Sequence, residues 1–149
     1  MYSHILVPTD GSEVAQHGVD HALALAKALG SRVTIITVTE PYMVYSGYVG
    51  AGMMIDARMM ESHDELQAEN AKATLAKAKE LAAAQGVPVD VLHVPDAYAA
   101  DAIVETAKTK GAELIVMASH GRRGLGRLLI GSQTSGVVNQ STVPVLVVR

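Results

Sequence analysis

Apolar positions along the 149 residues follow two alternating rhythms. Short, nearly continuous runs rich in β-branched residues cover 4–7, 32–39, 88–94, 114–118 and 143–148. Such runs read as strands buried on both faces. Between them lie longer alanine-rich stretches with apolar residues three to four apart, the period of a helix with one buried face. The first runs to Leu29, with Ser12 as its cap, Glu13 at its positive end and Gly30 as its stop. Its inward stripe is Ala15, Val19, Ala22, Leu23 and Ala26. A second helix is predicted over 59–85, facing inward through Ala68, Ala71, Leu75, Ala78 and Ala82, and ended by Gly86-Val87-Pro88. A third covers 99–110 through Ile103 and Ala107 and stops at Gly111; a short fourth covers 132–140. Strand, helix, strand repeated four times predicts an α/β domain whose open parallel sheet is covered on both faces. Two stretches lack either rhythm: 40–58, rich in glycine, tyrosine and methionine, and 119–131, rich in glycine and arginine.

Parallel sheets of this kind bind ligands beyond the carboxyl ends of their strands, so the chemistry should stand just after each strand. After the first comes Pro8-Thr9-Asp10-Gly11-Ser12. Asp10 is either a turn and cap residue or an acceptor for a ribose or amino group. After the fourth comes a run from Ser119 through His120, Gly121, Arg122 and Arg123 to Gly131, Ser132, Gln133 and Thr134. Gly121, Gly124 and Gly126 let backbone N–H groups approach a ligand; Arg122, Arg123 and Arg127 bring positive charge; Gly131-Ser132 opens a helix. Together they read as an anion site, most simply for phosphate. It is not a P-loop: Gly126 and Gly131 have the spacing, but Ser132 stands where lysine is required. The dinucleotide fingerprint G-x-G-x-x-G is also absent, which argues against NAD or FAD.

Composition narrows the options. Twelve basic and fifteen acidic residues leave a net charge of −3, too mild to suggest a nucleic-acid or membrane partner. With no cysteine, disulfides, thiolate metal sites and thiol nucleophiles are excluded. No phenylalanine or tryptophan is present, so a bound base must be gripped by aliphatic side chains and backbone. His17 and His21 lie one turn apart on the outer face of the first helix and read as solvated; His4, His63 and His93 show no partner in the sequence. No nucleophile elbow and no carboxylate pair near the glycine loop are present, so no dedicated catalysis is expected. The N-terminal residues do not read as a signal peptide, and no apolar run is long enough to span a bilayer.

Ile5-Leu6-Val7-Pro8-Thr9-Asp10-Gly11-Ser12, Leu114 to Gly121, and Gly131-Ser132 followed by Val143-Pro144-Val145-Leu146-Val147-Val148 together resemble the universal stress protein family, in order and spacing over the whole chain. The resemblance implies a single Rossmann-like domain over 1–149, its five-stranded parallel sheet in the order 3-2-1-4-5 with helices on both faces. It implies a cytoplasmic stress-response protein that binds ATP as a sensor or signalling module, and a homodimer paired through strand 143–148. ATP-binding relatives carry Gly, two residues, Gly, nine residues, Gly and Ser or Thr. Here Gly121 and Gly131-Ser132 match, but Ala118 replaces the first glycine. By position, Pro8, Thr9, Asp10 and Val38 would surround adenine and ribose, with Met117 and Ala118 as the floor. His120, Gly121, Arg122, Gly131, Ser132, Gln133 and Thr134 would meet the phosphates, which would carry Mg or Mn. Ala118 also keeps a second reading open, a dimeric interaction protein of the same fold without a nucleotide. A nucleotidyltransferase-like enzyme would need a paired-histidine motif, where only His120-Gly121 stands.

Overall fold

The computed structural model describes residues 1–41, 57–119 and 130–149. Within these, β1 (His4–Pro8), α1 (Glu13–Leu29), β2 (Arg32–Val38), α2 (Ala57–Ala84), β3 (Val89–Val94), α3 (Ala99–Lys110), β4 (Leu114–Ala118), α4 (Ser132–Gln140) and β5 (Val145–Val148) follow in order. The strands form one parallel sheet in the order β3-β2-β1-β4-β5, as expected. β1 and β4 are neighbours at its centre, and from them the chain winds outward in opposite directions.

Strand alternation divides the core into two layers. On one face Ile5 and Val7, Val33 and Ile35, Leu114 and Val116 pack against Val19, Ala22, Leu23 and Ala26 of α1 and Leu75, Ala78 and Ala82 of α2. On the other, Leu6, Ile36, Ile115 and Met117 meet Ile103 and Ala107 of α3 and Val137 of α4. Burying a side chain such as Leu23 or Ile36 contributes about 1.5–3 kcal/mol. All five inward positions expected on α1 are buried.

Local signals close the helices. Ser12 Oγ accepts the Ala15 N–H at 3.1 Å, and Gly30 ends α1 at φ +69, where its N–H bonds the Ala26 carbonyl. A side chain on Gly30 would be strained in that left-handed conformation. On α2 the expected stripe holds for Ala71, Leu75, Ala78 and Ala82, but Ala68 is exposed. The reason is length. Twenty-eight helical residues span about 42 Å, whereas strands of five to seven residues span about 17–23 Å. The early turns of α2 therefore overrun the sheet, and the helical period continues beyond the strands, where Ala68 is exposed.

Candidate functional site

At the carboxyl end of β1 the chain turns sharply and its polar groups find one another. The Thr9 N–H donates to the Ile36 carbonyl at 2.9 Å, and Thr37 Oγ1 donates to the Thr9 carbonyl at 3.0 Å. Thr9 Oγ1 accepts the Gly11 N–H at 3.2 Å, and Asp10 Oδ1 accepts the Ser12 N–H at 3.0 Å. Gly11 adopts φ +77, which this turn needs. Pro8 and Asp10 are half-buried and Thr9 is buried. Val38 ends β2 on the α3–α4 side, packed against the second core layer.

At the carboxyl end of β4 the chain leaves the sheet and returns close by. The Ser119 N–H donates to the Val148 carbonyl at 2.7 Å, and the Gly131 N–H donates to the Ser119 carbonyl at 2.8 Å. These bonds pin both ends of the intervening loop. His120, Gly121 and Arg122 lie outside the described residues, as do Arg123 and Arg127. Thr134 is buried, and its Oγ1 donates to the Ala118 carbonyl at 3.0 Å, which fastens the first turn of α4 to the tip of β4. The N-cap of α4 is Gly131, with no side-chain capping bond, and the first turn carries no acidic residue. The first N–H groups of a helix have no partner within it. Ser132, Gln133 and Thr134 therefore present backbone donors at the positive end of a helix, the chemistry that suits an anion. The Gln133 side chain points elsewhere: its Oε1 accepts the Ala100 N–H of α3 at 3.1 Å.

Ala118 occupies its place without strain. Among the described non-glycine residues only Tyr2 and Asp96 have positive φ, so Ala118 keeps ordinary strand geometry and pairs with Val148. By alternation its methyl shares the α1 face with Val116, while Met117 packs into the opposite layer. On the α1 face Gly18 makes room: a Cβ there would stand 3.0 Å from the Ala118 nitrogen.

The opposite end of the sheet is closed by its own hydrogen bonds. His4, which showed no partner in the sequence, is buried, with Nδ1 3.1 Å from the Lys110 carbonyl and Nε2 2.8 Å from Thr34 Oγ1. Arg32 Nη2 stands 3.2 Å from the same Nδ1, so a guanidinium donor and a carbonyl acceptor compete for that nitrogen, while the Thr34 hydroxyl can serve Nε2 in either role. Burial first, and the Arg32 guanidinium second, hold its pKa below the ordinary histidine value. Glu113, exposed at the start of β4, accepts the Ser3 N–H at 2.7 Å and the Ser3 hydroxyl at 2.9 Å, which lower its pKa. His93 likewise has a partner, Thr39 Oγ1 at 2.9 Å. His17 and His21 are exposed, as expected. Among the described residues no group of three His, Asp or Glu could hold a metal ion, and no helix is long and apolar enough to cross a membrane.

Comparison with known proteins agrees with this arrangement. The universal stress protein family model matches residues 1–149. A universal stress protein of Methanocaldococcus jannaschii is 35% identical over 149 residues, covering all of this chain and 83% of the relative. The solved structure of MJ0577, a universal stress protein of the same organism, superposes with a TM-score of 0.83 at 29% identity, covering 99% of this chain and 96% of that one. A universal stress protein crystallised in complex with cAMP has a TM-score of 0.69 at 26% identity, covering 99% and 97%. The whole-chain match and the shared fold show that this chain belongs to the universal stress protein family.

Proposed function

We propose that this protein binds ATP in the cleft between the carboxyl ends of β1 and β4 and acts as a nucleotide sensor or signalling module in a stress response. The observation that carries the reading is the bare N-terminus of α4. It lies at the switch point of the sheet, uncapped and without an acidic side chain, so its donors are available to phosphate. The solved relative in complex with cAMP supports an adenine nucleotide as the ligand. Pro8, Thr9, Asp10 and Val38 would face base and ribose, with Met117 and Ala118 beneath. The backbone of Gly131, Ser132, Gln133 and Thr134 would meet the phosphates together with His120, Gly121 and Arg122. Mg or Mn would be carried by the phosphates. Ala118 does not oppose this reading, since its backbone is unstrained and its methyl lies on the α1 face.

The chain would act as one cytoplasmic domain and pair as a homodimer through the C-terminal segment Val143 to Val148, whose strand β5 begins at Val145. β5 is an edge of the sheet, its Leu146 is 42% exposed, and an apolar edge of this kind favours a partner strand. Isothermal titration with ATP and magnesium tests the nucleotide reading, supported by mass spectrometry of any nucleotide that co-purifies. Saturable heat with one site per chain supports it. No heat at high micromolar protein defeats it, and binding seen only in Ala118→Gly would favour the nucleotide-free interaction protein instead.

A further inference from the structure

α3 begins without a cap of its own. Its N-cap residue is Tyr98, which makes no side-chain capping bond. A serine or aspartate at that position would accept the N–H of the second or third helical residue. That service comes from another helix: Gln133 Oε1 accepts the N–H of Ala100, the second residue of α3. The two helices run close enough for this because Gly136 sits one turn further along α4; a Cβ there would lie 2.9 Å from the Ala100 Cβ. Gln133 is also the second residue of α4, so its backbone N–H is one of the donors offered to an anion. One residue thus joins the start of α3 to the start of α4.

We infer that Gln133 is a positioning residue of the nucleotide site: its side chain fixes the anion-binding first turn of α4 on α3, while only its backbone faces the phosphates. The inference rests on the nucleotide reading above. Thr134 fastens the same turn to the end of β4. Gln133 adds a restraint towards a different element, α3. Losing it lets the N–H groups of Ser132, Gln133 and Thr134 drift from the geometry that a phosphate needs, and that cost falls only on ligands with phosphates.

The test compares ATP with adenosine, both by titration calorimetry, in the wild type and in Gln133→Leu, which keeps the bulk and removes the acceptor. ATP affinity is expected to fall about three- to tenfold, the worth of one hydrogen bond, with adenosine affinity unchanged and melting temperature lowered. Adding Tyr98→Ser to Gln133→Leu gives α3 its own cap; melting temperature should recover while ATP affinity stays low. Equal losses for ATP and adenosine, or recovery of ATP affinity with Tyr98→Ser, would mean that Gln133 only stabilises the fold. Wild-type ATP affinity in Gln133→Leu overturns the inference and leaves the nucleotide reading standing. A wild-type chain that binds neither ligand overturns both.

Discussion

Two helices begin at the same end of the sheet, on the two central strands, and they begin differently. α1 is closed by its own sequence: Asp10 takes the Ser12 N–H, Ser12 takes the Ala15 N–H, and Glu13 places a carboxylate in the first turn. α4 has none of this. Its cap is a glycine, its first turn holds no acid, and the side chains that could have served it are engaged elsewhere, Thr134 with the Ala118 carbonyl and Gln133 with α3. The same local physics therefore yields a spent helix terminus and an open one about one strand apart. Among the described residues, the α1 side of this end of the sheet carries carboxylates and the α4 side a helix start that no side chain caps. A nucleotide, with ribose hydroxyls and an amino group that can donate at one end and phosphates that accept at the other, would match that polarity.

The comparison breaks most directly if α4 is made to resemble α1. Ser132→Glu places a carboxylate in its first turn. Facing the helix dipole it should stabilise the fold by about 0.3–1 kcal/mol. Facing a phosphate it should repel, and ATP affinity is expected to fall by about tenfold or more, a loss that salt reduces. Calorimetry and thermal melting on one preparation read both effects. A variant that keeps full ATP affinity would show that the phosphates lie elsewhere.

Gly136→Val tests whether α4 must sit close on α3. Even a Cβ at that position stands 2.9 Å from the Ala100 Cβ. The overpacking should cost about 1–3 kcal/mol, seen as a lower denaturant midpoint with an unchanged slope. ATP affinity should weaken with it, because the displaced helix carries the donors. On the α1 side the corresponding probe is Ser12→Ala, which removes a cap worth about 1 kcal/mol. There the expected change lies in the midpoint. A fall in ATP affinity as steep as that of Ser132→Glu would erase the distinction between the two termini.

α1 was legible because everything that shapes it is local: the cap, the acid, the apolar stripe and the glycine stop lie within nineteen residues. The strand order came from the family resemblance and holds in the structure. The role of the Gln133 side chain was not legible. Its place after Gly131-Ser132 suggested a phosphate contact, but its acceptor serves Ala100, thirty-three residues away in sequence and adjacent only once α3 and α4 pack. The partners of His4 were hidden for the same reason, since Thr34 and Lys110 lie 30 and 106 residues from it. Ala68 misled in the opposite way: its period was sound, but it is exposed, on a helix longer than the strands it packs against.

The smallest expected effect comes from the far end of the sheet and serves as a control for the other three. Burial first, and Arg32 second, hold the His4 pKa below its ordinary value, with the Lys110 carbonyl and the Asp90 carboxylate acting the other way. Its pKa is lower folded than unfolded, so below about pH 6.5 the unfolded chain takes up a proton that the folded chain refuses. Stability is therefore full above that pH and declines as pH falls towards the folded value. Glu113 titrates below the ordinary carboxylate range and contributes only at more acid pH. Denaturant midpoints at pH 7.5 and 5.5 should thus differ in the wild type, and less in His4→Gln, whose amide cannot titrate. An equal drop in both would place the titrating group elsewhere. A reduced drop would mean that ATP titrations comparing α1 with α4 belong above pH 7, where this far-end proton no longer alters how much of the chain is folded.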